Sequence, residues 1–247
     1  FKKRSRTKSC KKTFNNFKTS MIWSDKGFLL SKLAFQENSV IANFYTKKHG
    51  KCSGIIYGAT SKKIKNYLQK GNELFIEYNS KNENALGHFK VEIIKPYTSK
   101  FFSDKKKLNC IVSMLELIKI LTVDGQENNK IYKLINELFE LLDKENWFVK
   151  YVFWELNLLK FLGFDLNIKD YCKYENIDNY KTFYIENSHK KLIVPNFLVE
   201  DYYNNKISNK DIYNSLTLIS EYMKKNIFIQ NNINFPLSRN NFINYFK

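Results

Sequence analysis

The stretch Glu73-Leu74-Phe75-Ile76-Glu77-Tyr78 alternates between apolar and acidic residues. Successive side chains of a strand point to opposite faces, so Leu74, Ile76 and Tyr78 share one face and Glu73, Phe75 and Glu77 the other. Working outward, four more short runs have strand character: residues 27–31, 39–45, 52–59 and 87–94, the last ending just before Pro96. His49-Gly50 marks a turn between the second and third runs, and Gly54 and Gly58 are expected at bulges or close backbone approaches. Five short strands between Ile22 and Pro96 predict a small closed barrel, with the five-stranded oligonucleotide-binding (OB) fold as the leading form.

Beyond Pro96 the apolar period changes from two to 3.6. Residues 110–121 are apolar nearly all round, which predicts a buried central helix. Ile131, Leu134, Ile135, Leu138, Phe139 and Leu142 follow helical spacing, as do Phe148, Tyr151, Val152, Leu156, Leu159 and Leu162, with Gly163 as a stop. Ile212, Leu216, Ile219 and Met223 mark a last helix, while the Asn- and Tyr-rich residues 165–207 show little period. The fold expected is α+β: a barrel over residues 21–97 followed by an all-α domain over residues 98–247.

Charge divides the chain in the same way. The net charge is +17, from 41 Lys and Arg against 24 Asp and Glu. Residues 1–20 carry eight basic residues and no acid, residues 21–97 twelve against six, and residues 98–247 twenty-one against eighteen. Such a surplus draws polyanions, either nucleic acid or an anionic membrane surface. Only Arg4, Arg6 and Arg239 are arginines amid abundant Lys, Asn, Ile, Phe and Tyr, the bias of an A- and T-rich coding sequence. Base composition therefore explains part of the aromatic content, but it does not explain why the charge is uneven. Residues 1–20 are expected to be a basic leader or disordered tail ahead of Met21, with a DNA-gripping arm as the alternative.

Catalytic signatures are missing. The sequence has no phosphate-cradling G-x-x-x-x-G-K-[ST], no G-x-S-x-G elbow and no histidine pair at helical metal spacing. His49, His88 and His189 read as turn or surface histidines, and a binding protein is expected rather than an enzyme. Cys10, Cys52, Cys110 and Cys172 form no C-x-x-C pair, which suits a reducing cytoplasm and predicts neither disulfides nor metal. No run is long and apolar enough to span a membrane. The positive signal is Lys47, Lys48 and Lys51 around the His49-Gly50 turn, and Lys62, Lys63 and Lys65 after the third strand. At the ends of barrel strands these six would meet phosphates as point charges. A solvated loop whose charges serve solubility alone is the alternative.

Several segments, taken in order, resemble the RecO family. They are Met21-Ile22-Trp23-Ser24-Asp25-Lys26-Gly27, Glu37-Asn38-Ser39, Thr46-Lys47-Lys48-His49-Gly50-Lys51, Gly58-Ala59 with its trailing lysines, and Leu68-Gln69-Lys70-Gly71-Asn72. Leu86-Gly87-His88-Phe89-Lys90-Val91-Glu92 follows them. In the helical half, residues 154–164 are similar to the family's long helix with its Leu-Gly-Phe turn, and Phe235-Pro236-Leu237-Ser238-Arg239 to its C-terminal segment. The likeness runs over residues 21–247, has an alphaproteobacterial flavour, and rests on collinearity rather than on one motif.

The resemblance implies a recombination mediator without catalysis or cofactor, cytoplasmic and associated with the nucleoid. It implies binding of single- and double-stranded DNA, annealing of complementary strands, contact with the C-terminal tail of single-strand-binding protein, and cooperation with RecR to load RecA. It places DNA contacts on Lys47, Lys48, Lys51, Lys62, Lys63 and Lys65, where relatives carry arginine at several positions. Many relatives hold zinc through four cysteines in the second domain. Here Cys172 has Glu175 at the partner position and no later cysteine, so residues 165–207 read as a degenerate zinc region. Two further readings stay open: an OB-fold module for RNA, and a helical protein–protein adaptor with a weak DNA-binding barrel.

Overall fold

The computed structural model describes residues 21–82, 85–177, 180–187, 190–200 and 206–247. The basic leader of residues 1–20 and His189 lie outside the described residues. Five strands form a closed barrel: β1 (Met21–Gln36), β2 (Ser39–Thr46), β3 (Gly50–Tyr57), β4 (Glu73–Ser80) and β5 (His88–Lys95), in the order β1-β2-β3-β5-β4. A short helix α1 (Lys62–Tyr67) bridges β3 and β4. The unusually long β1 makes closure possible. Its residues 21–28 pair with β4 and residues 27–36 with β2, and β3 meets β5 in parallel at Ile55 and His88. Two irregularities in the β1–β2 register, at Leu29/Ser31 and Ala34/Gln36, bend β1 from one neighbour to the other.

The five expected strand runs are all present, β1 extending well beyond residues 27–31. Leu29, Ala42, Phe44, Ile56, Leu74, Ile76, Phe89 and Val91 fill the barrel. Gly54 lies where a Cβ would stand 2.6 Å from the Phe89 ring, so a close approach requires glycine there. Gly58 differs from expectation: it has φ +67 and open space around it, and serves as a left-handed turn.

The helices are α2 (Lys105–Leu121), α3 (Asn129–Leu142), α4 (Trp147–Phe161), α5 (Ile168–Tyr171), α6 (Asn209–Met223) and α7 (Leu237–Ile243). Asp104 caps α2 by accepting from the Lys107 N–H, Asn128 caps α3, and Ser208 and Asp211 form a capping box on α6. Gly163 ends α4 as its sequence predicts, at φ +85, with the Phe164 N–H donating to the Leu159 carbonyl at 2.8 Å.

The second half is not all-α. Strands β6 (Lys173–Ile177), β7 (Tyr180–Asn187) and β8 (Lys190–Val194) form an antiparallel sheet within the region whose period was weak. Phe183 and Val194 are buried against the helical core, with Ile185 and Leu192 partly so, and β8 packs on α6. The exposed surface is held by Lys173–Glu186 at 2.8 Å, Lys191–Glu175 at 2.5 Å and Lys181 above the Tyr174 ring. A small sheet with one narrow apolar face leaves little alternation to read.

At the centre of the helices Arg239 of α7 donates to Glu155 of α4 at 2.6 Å and to the Leu216 carbonyl of α6 at 3.3 Å, both side chains being fully buried. The Tyr151 hydroxyl donates to the other Glu155 oxygen at 2.7 Å. Burial pushes the Glu155 carboxyl up, while Arg239 and Tyr151 pull it back. Removing one partner of such a pair strands a buried charge, whereas replacing both with apolar groups does not. Arg239→Ala is therefore expected to cost ~3–5 kcal/mol in urea unfolding. Arg239→Met combined with Glu155→Leu should recover most of that loss, and an Arg239→Ala protein as stable as wild type would contradict this account.

Candidate nucleic-acid interface

The β2–β3 turn presents Lys47 and Lys48 to solvent on a rigid base. The Lys47 N–H donates to the Lys26 carbonyl at 3.0 Å. The buried Asp25 carboxylate accepts from the Lys48 N–H at 2.6 Å and the Lys26 N–H at 2.8 Å, and faces His49 Nδ1 at 3.3 Å. The His49 ring stacks on Trp23 at 4.0 Å and 14°, and Trp23 stacks on Tyr78 at 4.8 Å. His49, read from sequence as a plain turn residue, is thus half of the clamp on this turn. An aspartate four residues into β1 gives no sequence signal of that role.

The six lysines expected to act together are in three situations. Lys47 and Lys48 make no ion pair among the described residues. Lys51 is spent: its ammonium donates to the Lys119 carbonyl at 2.7 Å and pairs with Asp124 at 3.3 Å. The Gly125 N–H returns a bond to the Lys51 carbonyl at 2.8 Å, which seats the start of β3 on the loop after α2. Gly50 is what permits that contact. Its φ is +61, and a Cβ there would stand 2.0 Å from the Gln126 carbonyl oxygen.

Lys62, Lys63 and Lys65 are exposed on α1, whose N-cap Ser61 accepts from the Ile64 N–H. They lie at the opposite pole of the barrel, because Ser39 pairs with Tyr57 at one end of β2 and Thr46 with Gly50 at the other. An eight-residue strand separates the poles by ~24 Å. Sequence reading missed Lys32 and Lys70 at this pole. Lys32 donates to the Leu68 carbonyl at 2.6 Å, and burial, then Lys65 and Lys70, lower the pKa of its ammonium. Lys32 was not visible in sequence, because it stands a whole strand pair away from α1, whereas Lys70 follows α1 directly and was passed over as part of a turn.

A second feature lies among the helices: a cleft of about 710 Å³ with Phe148, Val149 and Ile207 on its floor and Lys150 and Lys206 exposed at its rim. Among the described residues no three His, Cys, Asp or Glu side chains come together as a metal site, and no helix is long and apolar enough to cross a membrane.

Both halves of the chain resemble known proteins. The family model for the N-terminal part of recombination protein O matches residues 21–97, and that for its C-terminal part matches residues 103–214. Among curated relatives, the DNA repair protein RecO of Rickettsia typhi is 30% identical over 220 residues, covering 84% of this chain and 92% of that protein. RecO of Rickettsia canadensis is 29% identical over 221 residues, covering 84% and 90%, and that of Ehrlichia chaffeensis 28% over 229 residues, covering 86% and 93%.

The split among the lysines is testable. Lys51→Ala is expected to lower the melting temperature by a few degrees without changing how oligonucleotide affinity depends on salt. Lys47→Ala combined with Lys48→Ala should leave the melting temperature in place and flatten the slope of log affinity against log salt by roughly 0.7 per lysine on a single strand. A Lys51 variant that flattened the slope as strongly would make Lys51 a phosphate contact after all.

Proposed function

Because the chain belongs to the RecO family of DNA repair and recombination proteins, we propose that it is a non-catalytic recombination mediator that binds single- and double-stranded DNA and anneals complementary strands. In this reading residues 21–97 are the nucleic-acid unit, an OB-type barrel, and residues 98–247 the partner unit. The parallel closure of β3 on β5 supports the barrel type. The observation that carries the functional reading is the pair of lysine poles, one on the clamped β2–β3 turn and one on α1, flanking the same barrel wall.

Annealing on such a surface needs no nucleotide hydrolysis. Two strands repel through their phosphates, and lysines that neutralise both lower the repulsion while raising the local concentration of each strand. Lys70 joins Lys47, Lys48, Lys62, Lys63 and Lys65 as a contact candidate, while Lys51 and Lys32, whose ammonium groups donate to backbone carbonyls, rank behind them. Lysine rather than arginine at these positions gives affinity without bidentate base reading.

The helical cleft supplies a place for a protein partner. An acidic, apolar C-terminal tail such as that of single-strand-binding protein fits an apolar floor with Lys150 and Lys206 at its rim. With RecR as co-mediator, the protein would then help load RecA onto coated gaps, as a cytoplasmic, nucleoid-associated factor.

The test is annealing of complementary strands, bare or coated with cognate single-strand-binding protein, without ATP. Wild type is expected to accelerate both. Charge reversal of Lys47, Lys48, Lys62 and Lys63 should slow both reactions at least about tenfold at physiological salt, while Lys150→Glu with Lys206→Glu should slow only the coated one. Tight binding to bare strands with no acceleration on coated ones would overturn the mediator reading. A clear preference for RNA of the same sequence would move the barrel to RNA work.

A further inference from the structure

At the other end of α4 from the Lys150–Lys206 cleft, a pocket of about 350 Å³ opens where the barrel, the helices and the chain after α6 converge. α4 is 15 residues long, so ~20 Å of helix separates the two features. Tyr45 of β2 lines the pocket from the barrel side. The loop after α2 supplies Val123, Gln126 and Asn128, and the end of α4 supplies Phe161 and Phe164. Ile227, Asn231 and Ile233 close the remaining side.

That last side has an unusual backbone. α6 runs on into a π turn (Lys224–Phe228), in which the Ile229 N–H donates to the Lys224 carbonyl five residues back at 2.9 Å. Asn232 follows in the left-handed region at φ +54. π turns are rare and recur at functional sites, and a residue other than glycine at positive φ is uncommon. The opposite wall is held from behind. Lys51 and the Gly125 N–H bond the loop after α2 to the start of β3, so the pocket is formed before anything enters it. Its mouth is apolar and bare, with Val123 65% and Ile233 40% exposed.

We propose that this pocket receives an uncharged, bulky side chain, aromatic or aliphatic, which a protein partner presents together with its own peptide group. The lining selects that chemistry. Among the described residues no charged side chain lines the pocket. Neighbouring cations are engaged elsewhere: Lys51 with Asp124, Lys160 with Asp165 at 3.6 Å, and Lys130 over the Phe161 ring. A phosphate or carboxylate would lose its water here and gain no counter-charge. The polar groups present suit a peptide bond instead. Asn231 donates its side-chain N–H to the Ile227 carbonyl at 2.7 Å, which leaves its carbonyl oxygen for a peptide N–H, and Gln126 is exposed at the mouth. Burial pushes the Tyr45 hydroxyl up to about 12, so it stays a neutral donor, and its 3.4 Å bond to the Asn128 carbonyl is long enough to yield to a ligand carbonyl. Ligand pockets span roughly 300–1,000 Å³, and one at the lower end has room for one or two side chains. The bare apolar rim offers further area to residues flanking such an anchor, area that a free small molecule would leave uncovered.

Two probes that differ in one group test this in amide-detected NMR titrations: N-acetyl-L-phenylalaninamide, and N-acetyl-L-phenylalanine with its ionised carboxylate. The neutral probe is expected to give saturable shifts at residues 122–128 and 227–233, with a Kd of about 1 mM. The carboxylate should bind at least about fivefold more weakly. Val123→Asp with Ile233→Asp should remove binding and leave the melting temperature in place, since both side chains are exposed. Val123→Leu should keep it. No saturable shift at these residues, equal binding of the two probes, or unaltered binding by the aspartate pair overturns the proposal. Saturation at residues 148–150 and 207 instead would put the apolar anchor in the other cleft and overturn it as well. If wild type forms a dimer that the aspartate pair dissolves, the occupant is a second copy and the assignment to a partner fails.

Discussion

Everything in this molecule turns on the fact that β1 is buried on both faces over three consecutive residues. Leu29 points into the barrel, while Phe28 and Leu30 point outward and would be bare hydrocarbon on an isolated barrel. Phe28 lies opposite Tyr45 and against Tyr132 and Phe139, with ring centroids 5.1 and 5.9 Å away, and Tyr97 stacks on Phe139 at 4.4 Å. Burying each such side chain is worth ~1.5–3 kcal/mol, so the helices are bound to the barrel by a continuous core. Polar ends are satisfied within it: the Tyr132 hydroxyl donates to Glu73 at 2.6 Å and that of Tyr97 to Asn136 at 2.7 Å. Burial first, and then the Glu73 carboxylate, raise the pKa of the Tyr132 hydroxyl well above its ordinary value, so it remains a donor.

Two consequences reach the functional surface. The helical layer fixes the β2–β3 hairpin from behind, through Gly50 and Lys51 on the loop after α2, while Asp25 and the Trp23–His49 stack fix its tip from the front. Lysines carried on such a turn lose little conformational freedom on meeting phosphate, which favours affinity without extra contacts. The layer is also too small to cover the whole outer wall: Leu33, Phe35 and Tyr57 stay exposed between the two lysine poles. In the second half, the Arg239–Glu155 pair ties α7 to α4 and α6, so α7 is part of the core.

Much of this was legible in the residues. Period two up to Pro96 and period 3.6 beyond it gave the strands and the main helices, because a barrel interior and an amphipathic helix each impose a strict spacing on apolar side chains. The sheet β6–β8 was not legible. Its strands carry Lys, Tyr, Glu and Asn on an open face and bury little beyond Phe183 and Val194. The lysines were legible as a set but not as places, since sequence cannot show that Lys51 bends to Asp124 or that α1 lies a strand's length from the turn. Lys32 and Asp25 were missed for a related reason: their roles depend on neighbours in strands far apart along the chain.

Hydrogen–deuterium exchange with and without a single-stranded oligonucleotide tests the central claim most directly, that DNA occupies the barrel wall the helices leave free. Added protection is expected on the β2–β3 turn, on β1 and β2 around Leu33 and Ile41, on β3 toward Tyr57, and on α1, with the loop at Asp124–Gln126 unchanged. Protection confined to α3, α4 and α6, with the barrel unaltered, would contradict the account and move the nucleic acid to the helical half.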